Sequence, residues 1–237
     1  MSIQTVAVLG AGIMGRGIAY VAALGGYTTL LQDTNREQLE KGLNDLGAVL
    51  EKGVAMGKVA EADALSARKR VRGVTSLEEA AQHADLIIEA VPERIELKIE
   101  IFAQLDRFAP KHAILASNTS SLSITEMAAA TQRAPQVVGL HFFNPVHRMK
   151  LLEIVRALET SDLTLQACKE VGTRMGKECV VVRESPGFVT SRINAMIGNE
   201  AFYMLQEGVA SAQDIDQALK PLQASHSRVS ICCERSI

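Results

Sequence analysis

Val6-Ala7-Val8-Leu9-Gly10-Ala11-Gly12-Ile13-Met14-Gly15 is the stretch on which the fold turns. Its first four residues form a short, wholly apolar run, as expected of a strand buried on both faces of a parallel sheet. From Ile13 to Leu24, Ile, Ala, Val and Leu recur at helical spacing and stop at Gly25-Gly26, a natural helix end. A G-x-G-x-x-G turn therefore lies directly between a strand and a helix. Gly10 permits the tight turn, Gly12 lets backbone approach a pyrophosphate, and Gly15 lets the helix pack close on the strand. The helix start offers unpaired N–H groups and the positive end of its dipole to phosphate, and Ile13 and Met14 fall within the same candidate site. Asp33 follows Gly10 by 23 residues, at the end of the second strand candidate, Thr28–Gln32. A carboxylate there accepts hydrogen bonds from adenosine ribose hydroxyls and repels a 2′-phosphate, which predicts NAD over NADP. Standing just ahead of Thr34-Asn35, the same side chain is also suited to capping the next helix.

Outward from this turn, strand and helix patterns alternate. Residues 35–52, 61–70, 93–107 and 123–130 read as helices, and 85–91, 113–117 and 137–142 as strands. Such alternation points to a Rossmann-like, doubly wound α/β domain. Two further strands are expected at residues 150–155 and 178–182, flanking a helix over 163–175. After Phe188 no strand candidate follows, and residues 193–205 and 212–219 read as helices. The expected division is a nucleotide-binding domain over 1–186, an all-helical segment over 187–220 and an atypical tail over 221–237.

Bulk properties exclude several function classes. A chain of 237 residues buries enough surface to need no covalent staples. Its net charge of −2 and lack of any Lys/Arg run argue against nucleic acid as a partner. Cys168, Cys179, Cys232 and Cys233 are too few and irregular for a disulfide framework or a zinc site, so reduced thiols in the cytoplasm are expected. The apolar run before Met14 has no basic residue ahead of it, unlike a signal peptide, and no apolar stretch approaches membrane-spanning length.

The glycine turn does not specify a reaction; later segments narrow it. Ser117-Asn118-Thr119-Ser120-Ser121, His141-Phe142-Phe143-Asn144-Pro145, Leu151-Leu152-Glu153-Ile154-Val155 and Ser185-Pro186-Gly187-Phe188 occur in that order. Together they resemble the 3-hydroxyacyl-CoA dehydrogenase family, in particular its stand-alone bacterial 3-hydroxybutyryl-CoA members, from about Ile3 to Lys220. The resemblance implies His141 as the catalytic histidine, Glu153 as its carboxylate partner and Ser120 as a hydrogen-bonding group near the reacting oxygen. It implies Asn144 beside nicotinamide and substrate, and cofactor contacts from Glu93 and Lys98. An acyl-CoA substrate, NAD and a homodimer are implied in the same way. The CoA phosphates would lie near the basic residues Lys52, Lys58, Arg68, Lys69 and Arg70, none of which is singled out.

This chemistry has its own logic. Oxidising a secondary alcohol removes a hydride from carbon and a proton from oxygen, and an imidazole, ordinarily titrating near ~6.5, suits the proton. A carboxylate on its far nitrogen fixes the tautomer and stabilises the imidazolium. His141 and Glu153 can meet only if adjacent strands bring them together. A histidine beside two phenylalanines is also an ordinary core residue, and Ser120 is also suited to capping the helix at Ile124. Glu153 in an apolar strand needs a partner in any case, because an unpaired buried carboxylate costs several kcal/mol.

The chain departs from the family pattern twice. Ser191 stands where many relatives have asparagine, leaving one hydroxyl for substrate in place of an amide. After Lys220 the sequence turns to serines and an adjacent cysteine pair without helical periodicity. A frameshifted or prematurely ended reading frame is the expectation there, with a disordered tail, exposed apolar faces on the last two helices and a weakened dimer. Two other readings are a 3-hydroxyisobutyrate- or 6-phosphogluconate-type dehydrogenase, which uses a catalytic lysine, and a catalytically impaired NAD-binding remnant.

Overall fold

Eight strands form one sheet in the order β3-β2-β1-β4-β5-β6-β7-β8 in the computed structural model, which describes residues 3–223. The strands are β1 Thr5–Leu9, β2 Thr28–Gln32, β3 Val71–Val74, β4 Leu86–Glu89, β5 Ile114–Ser117, β6 Val137–Phe142, β7 Leu151–Arg156 and β8 Glu178–Arg183. The first six are mutually parallel; β7 runs antiparallel to β6, and β8 parallel to β7. The order reverses between β1 and β4, so a crevice opens at the C-terminal ends of those two strands, where doubly wound sheets bind their ligands.

Helices α1 Ile13–Leu24, α2 Arg36–Ala55, α3 Glu61–Arg70, α4 Leu77–Gln82, α5 Ile95–Phe108, α6 Ile124–Ala129 and α7 Asp162–Arg174 connect these strands. β4 and β5 are buried throughout, which is why their sequences are apolar runs rather than alternations. Short polar side chains set the helix starts. Asn35, Ser76, Ser123 and Ser161 each accept a backbone N–H at the head of α2, α4, α6 and α7. Asn35 thus caps α2 and Ser123 caps α6, the positions for which Asp33 and Ser120 were the competing sequence readings.

Two elements escape sequence periodicity. β3 is four residues long, carries Arg72 and Gly73, and owes its conformation to pairing with β2. α4 spans six residues, too few to display a helical repeat. Helix α5 begins at Ile95, later than the apolar pattern suggests, and this leaves Glu93 in the loop before it.

The chain divides between Glu184 and Ser185. In the second unit, left-handed backbone at Gly187 and Phe188 turns the chain into α8, Thr190–Gln206, which is followed by α9, Ala212–Gln223. These helices pack on one another through Ala201, Ile215 and Leu219, while Ile193, Met196, Phe202 and Tyr203 of α8 are exposed. Each helix therefore has a partner for one face, and the apolar exposure expected from the sequence falls on α8. α9 continues past Lys220 through Pro221. A proline removes one helical hydrogen bond but does not forbid the last turn of a helix that is otherwise formed. Residues 224–237 of the atypical tail lie outside the described residues. Among the described residues, no helix is long and apolar enough to cross a membrane.

Candidate active site

The glycine turn shows which of its requirements come from the fold and which from outside it. A Cβ on Gly15 would lie 1.7 Å from the Gly10 carbonyl oxygen, and one on Gly10, at φ +95°, would lie 2.7 Å from that of Ala90. Both glycines are demanded by packing and backbone geometry. Gly12 has an ordinary φ of −67°, and a Cβ there would meet no atom within 4 Å. Nothing in the protein requires glycine at this position; a side chain would project into the open groove that a pyrophosphate must cross. The head of α1 carries no acidic residue and no side-chain cap, so its first N–H groups face that groove without an anionic competitor.

Asp33 stands beside the glycine turn. Its Oδ2 accepts the Ala11 N–H at 2.9 Å and its Oδ1 the Asn35 N–H at 2.9 Å, fixing the carboxylate against the turn. With Gly10, Gly12, Ile13 and Met14 it lines a cavity of about 680 Å³. Met14, Ala90 and Val91 also line a second cavity of about 300 Å³ with Glu93, Lys98, Asn118 and Ser120. The two cavities adjoin across the glycine turn, as a dinucleotide-binding groove requires. The residues present fit NAD.

A buried polar ring walls the second cavity. Glu89 ends β4 directly opposite Leu9 on one side and Ser117 on the other. Its Oε1 accepts from Lys98 Nζ at 2.6 Å and from the Val91 N–H at 2.7 Å, and its Oε2 from Ser117 Oγ at 2.6 Å. Lys98 Nζ also lies 3.1 Å from Glu93 Oε2. Glu93 Oε1 in turn accepts from the Thr119 hydroxyl and, at 2.9 Å, from the Ser120 N–H. Burial pushes the Glu93 carboxyl upward, but the Thr119 hydroxyl, Lys98 and the Ser120 N–H outweigh it and hold its pKa below the usual value. Sequence reasoning selected Glu93, Lys98 and Ser120 but missed Glu89, Ser117 and Thr119. A signal was present: Glu89 closes an apolar run, and Lys98 shares a helix face with Ile101, Phe102 and Leu105, so each charge occupies a buried register.

His141 and Glu153 lie on β6 and β7 as directly opposed residues of an antiparallel pair. Both are buried, and His141 Nδ1 is 2.7 Å from Glu153 Oε2. The Phe143 ring packs against the imidazole with centroids 4.4 Å apart. Nearby, the Asn118 side-chain oxygen accepts the Phe142 N–H at 2.9 Å, tying the loop after β5 to the residue following His141.

Asn144 lines neither of the two cavities above. It borders a third with Arg16, Tyr20, Asp45 and His147. Burial lowers the His147 pKa, and Arg148, Lys177, Lys58 and Lys52 lower it further, while Arg16 and Asp45 in the same lining pair at 2.6 Å. Ser191 lies in the first turn of α8, in the second unit. Among the described residues no group of three or more His, Cys, Asp or Glu side chains could hold a metal ion.

Comparison with known proteins gives a consistent result. Residues 5–185 match the family described as "3-hydroxyacyl-CoA dehydrogenase, NAD binding domain", and residues 187–225 match the corresponding C-terminal domain. The chain is 45% identical over 220 residues to a probable 3-hydroxybutyryl-CoA dehydrogenase of Bacillus subtilis, covering 93% of this chain and 76% of that protein. It is 40% identical over 220 residues to the 3-hydroxyadipyl-CoA dehydrogenase of Escherichia coli, covering 93% and 46% respectively. The crystal structure of (S)-3-hydroxybutyryl-CoA dehydrogenase from Ralstonia eutropha superposes with a TM-score of 0.88 at 42% identity, over 95% of this chain and 79% of that one.

Proposed function

Since the chain belongs to the 3-hydroxyacyl-CoA dehydrogenase family and takes NAD as cofactor, we propose that it interconverts (S)-3-hydroxybutyryl-CoA and acetoacetyl-CoA in the cytoplasm, with His141 as the proton-transferring group. The observation that carries this reading is the buried His141–Glu153 pair. NAD, when bound, supplies the acceptor or donor of the hydride. The side chains of this protein handle the proton. With Nδ1 held by Glu153, exchange with the substrate oxygen falls to Nε2, and the imidazolium so formed keeps its Nδ1–H directed at a carboxylate. Burial strengthens that attraction and prevents the ring from turning away. Ser120 adds a hydroxyl beside the reacting oxygen, and Ser191 is a substrate-binding candidate on the family resemblance alone.

The groove divides its labour along the cofactor. Gly10, Gly12, Gly15 and the head of α1 take the pyrophosphate, Asp33 the adenosine ribose, and Glu93 and Lys98 the opposite ribose. The cationic surroundings of His147, with Lys52 and Lys58 among them, suit the phosphates of coenzyme A, and Asn144 borders that side. The family's homodimer is proposed for this chain as well, with the exposed apolar residues of α8 as a candidate contact.

The test is the absorbance of NADH during acetoacetyl-CoA reduction, run on the parent protein and His141→Gln. Turnover should fall roughly 10²–10⁴-fold while NADH affinity stays unchanged. An undiminished rate in the variant would remove His141 from the reaction. NADH binding by the parent without thioester reduction would overturn the activity itself.

A further inference from the structure

Glu89 is fully buried and lines neither half of the groove. A carboxylate in that setting is costly unless several donors compensate it, and the backbone of β4 needs no acid there. We propose that Glu89 is a positioning residue: through Lys98 and Glu93 it holds the wall of the groove that faces the pyridine half of the cofactor. The inference rests on the reading that NAD runs from Asp33 across the glycine turn to Ser120.

The hydrogen bonds close into a ring. Glu89 holds Lys98, Lys98 holds Glu93, and Glu93 receives the Thr119 hydroxyl and the Ser120 N–H. The Thr119 N–H returns to Ser117 Oγ at 3.2 Å, and that hydroxyl donates back to Glu89. Two loops that follow parallel strands, one after β4 and one after β5, are thereby fixed to each other at the mouth of the crevice. Thr119 Oγ1 also accepts the N–H groups of Ser121 and Leu122, so the ring extends to the turn that presents Ser120.

Geometry decides which member positions and which member contacts. Glu93 is half-buried and reaches the cavity; Lys98 is 1% exposed and sits between two carboxylates. Without Glu89, the Lys98 ammonium has Glu93 as its remaining acidic partner in the ring. It would be drawn toward it, shifting the Glu93 carboxylate from the Ser120 N–H. No side chain of the ring lines the adenosine half, built from the glycine turn and Asp33, which adjoins the ring at Val91, whose N–H Glu89 holds. The two halves should therefore respond differently to its loss.

The experiment measures binding of NADH and of ADP, which lacks both the pyridine and its ribose, to the parent chain, Glu89→Gln and Ser117→Ala. Glu89→Gln should weaken NADH roughly tenfold or more and leave ADP within about twofold of the parent, because loss of a supporting partner displaces contact groups by fractions of an ångström. Ser117→Ala, which keeps every charge and removes one hydrogen bond to Glu89, should act in the same direction and less strongly. If Glu89→Gln does not fold, Ser117→Ala decides alone. Unchanged NADH affinity, or equal weakening of both ligands, would overturn the proposal, the latter by showing a merely structural role. Failure of the parent to bind NADH would instead sink the cofactor reading on which it rests.

Discussion

Glu89 and Glu153 are both buried carboxylates in one sheet, yet they face opposite kinds of cation. Glu89, at the C-terminal end of a parallel strand, is met by a lysine, a serine hydroxyl and a backbone N–H. Glu153, within an antiparallel pair, is met by an imidazole across the strand. A lysine ordinarily stays charged across the physiological range, so its pair with Glu89 is a fixed brace. An imidazole, unlike an ammonium, can both donate and accept at its two nitrogens, which is what the role proposed for the His141–Glu153 pair requires. One burial problem has two solutions, and on the proposed reading the partner's chemistry separates support from turnover.

Lys98→Met breaks the brace most severely. It leaves Glu89 buried without its cation and should cost about 3–5 kcal/mol of stability, read from denaturant midpoints at constant m-value. A loss near zero would mean that Ser117 and the Val91 N–H satisfy Glu89 unaided.

Glu153→Gln addresses the other pair. The amide keeps the shape but not the charge, and turnover should fall about 10²-fold or more, some 2.7 kcal/mol of barrier, with NADH affinity retained. Equal losses in turnover and in NADH binding would make Glu153 a second brace and erase the distinction.

Asp33→Asn sharpens the comparison from the other end of the groove, where the carboxylate holds two backbone amides and is proposed to recognise the cofactor. Removing its charge should reduce the preference for NADH over NADPH about tenfold, or about 1.4 kcal/mol, in direct binding measurements. An unchanged preference would assign Asp33 only to holding the Ala11 and Asn35 amides.

The smallest effect is expected at Glu93. Its folded pKa is depressed, so its contribution to stability is present above the ordinary value of 4.5 and is lost as pH falls through the folded value. Stability of the parent and of Glu93→Gln should therefore differ at pH 6 and converge toward pH 3, by a modest amount because Glu93 is half-exposed. A gap that persists at low pH would show that its hydrogen bonds matter without its charge.

Legibility in the sequence follows the range of the interaction responsible. The glycine turn, Asp33 and the long strands were legible because each rests on neighbours in the chain. β3 and α4 were not, because short elements show no repeat and take their form from what they pair with. Glu153 lies inside an apolar strand, whereas Glu89 only closes one, a weaker signal, since the last residue of a strand can equally face solvent. Capping was ambiguous between neighbouring polar residues until the backbone placed Asn35 and Ser123 at the helix starts.

By itself the sequence determined the strand–turn–helix at the glycine turn, the preference for NAD and the four segments that carry the family resemblance. These depend on backbone conformation and residue order, which local chemistry dictates. Only the tertiary structure decided that β6 and β7 oppose His141 to Glu153, that Glu89 closes a ring with Lys98 and Glu93, and that Asn144 borders the cavity lined by Arg16, Asp45 and His147. Those are encounters between residues distant in sequence. Sheet register and burial set them, and neither is a property of any short stretch of chain.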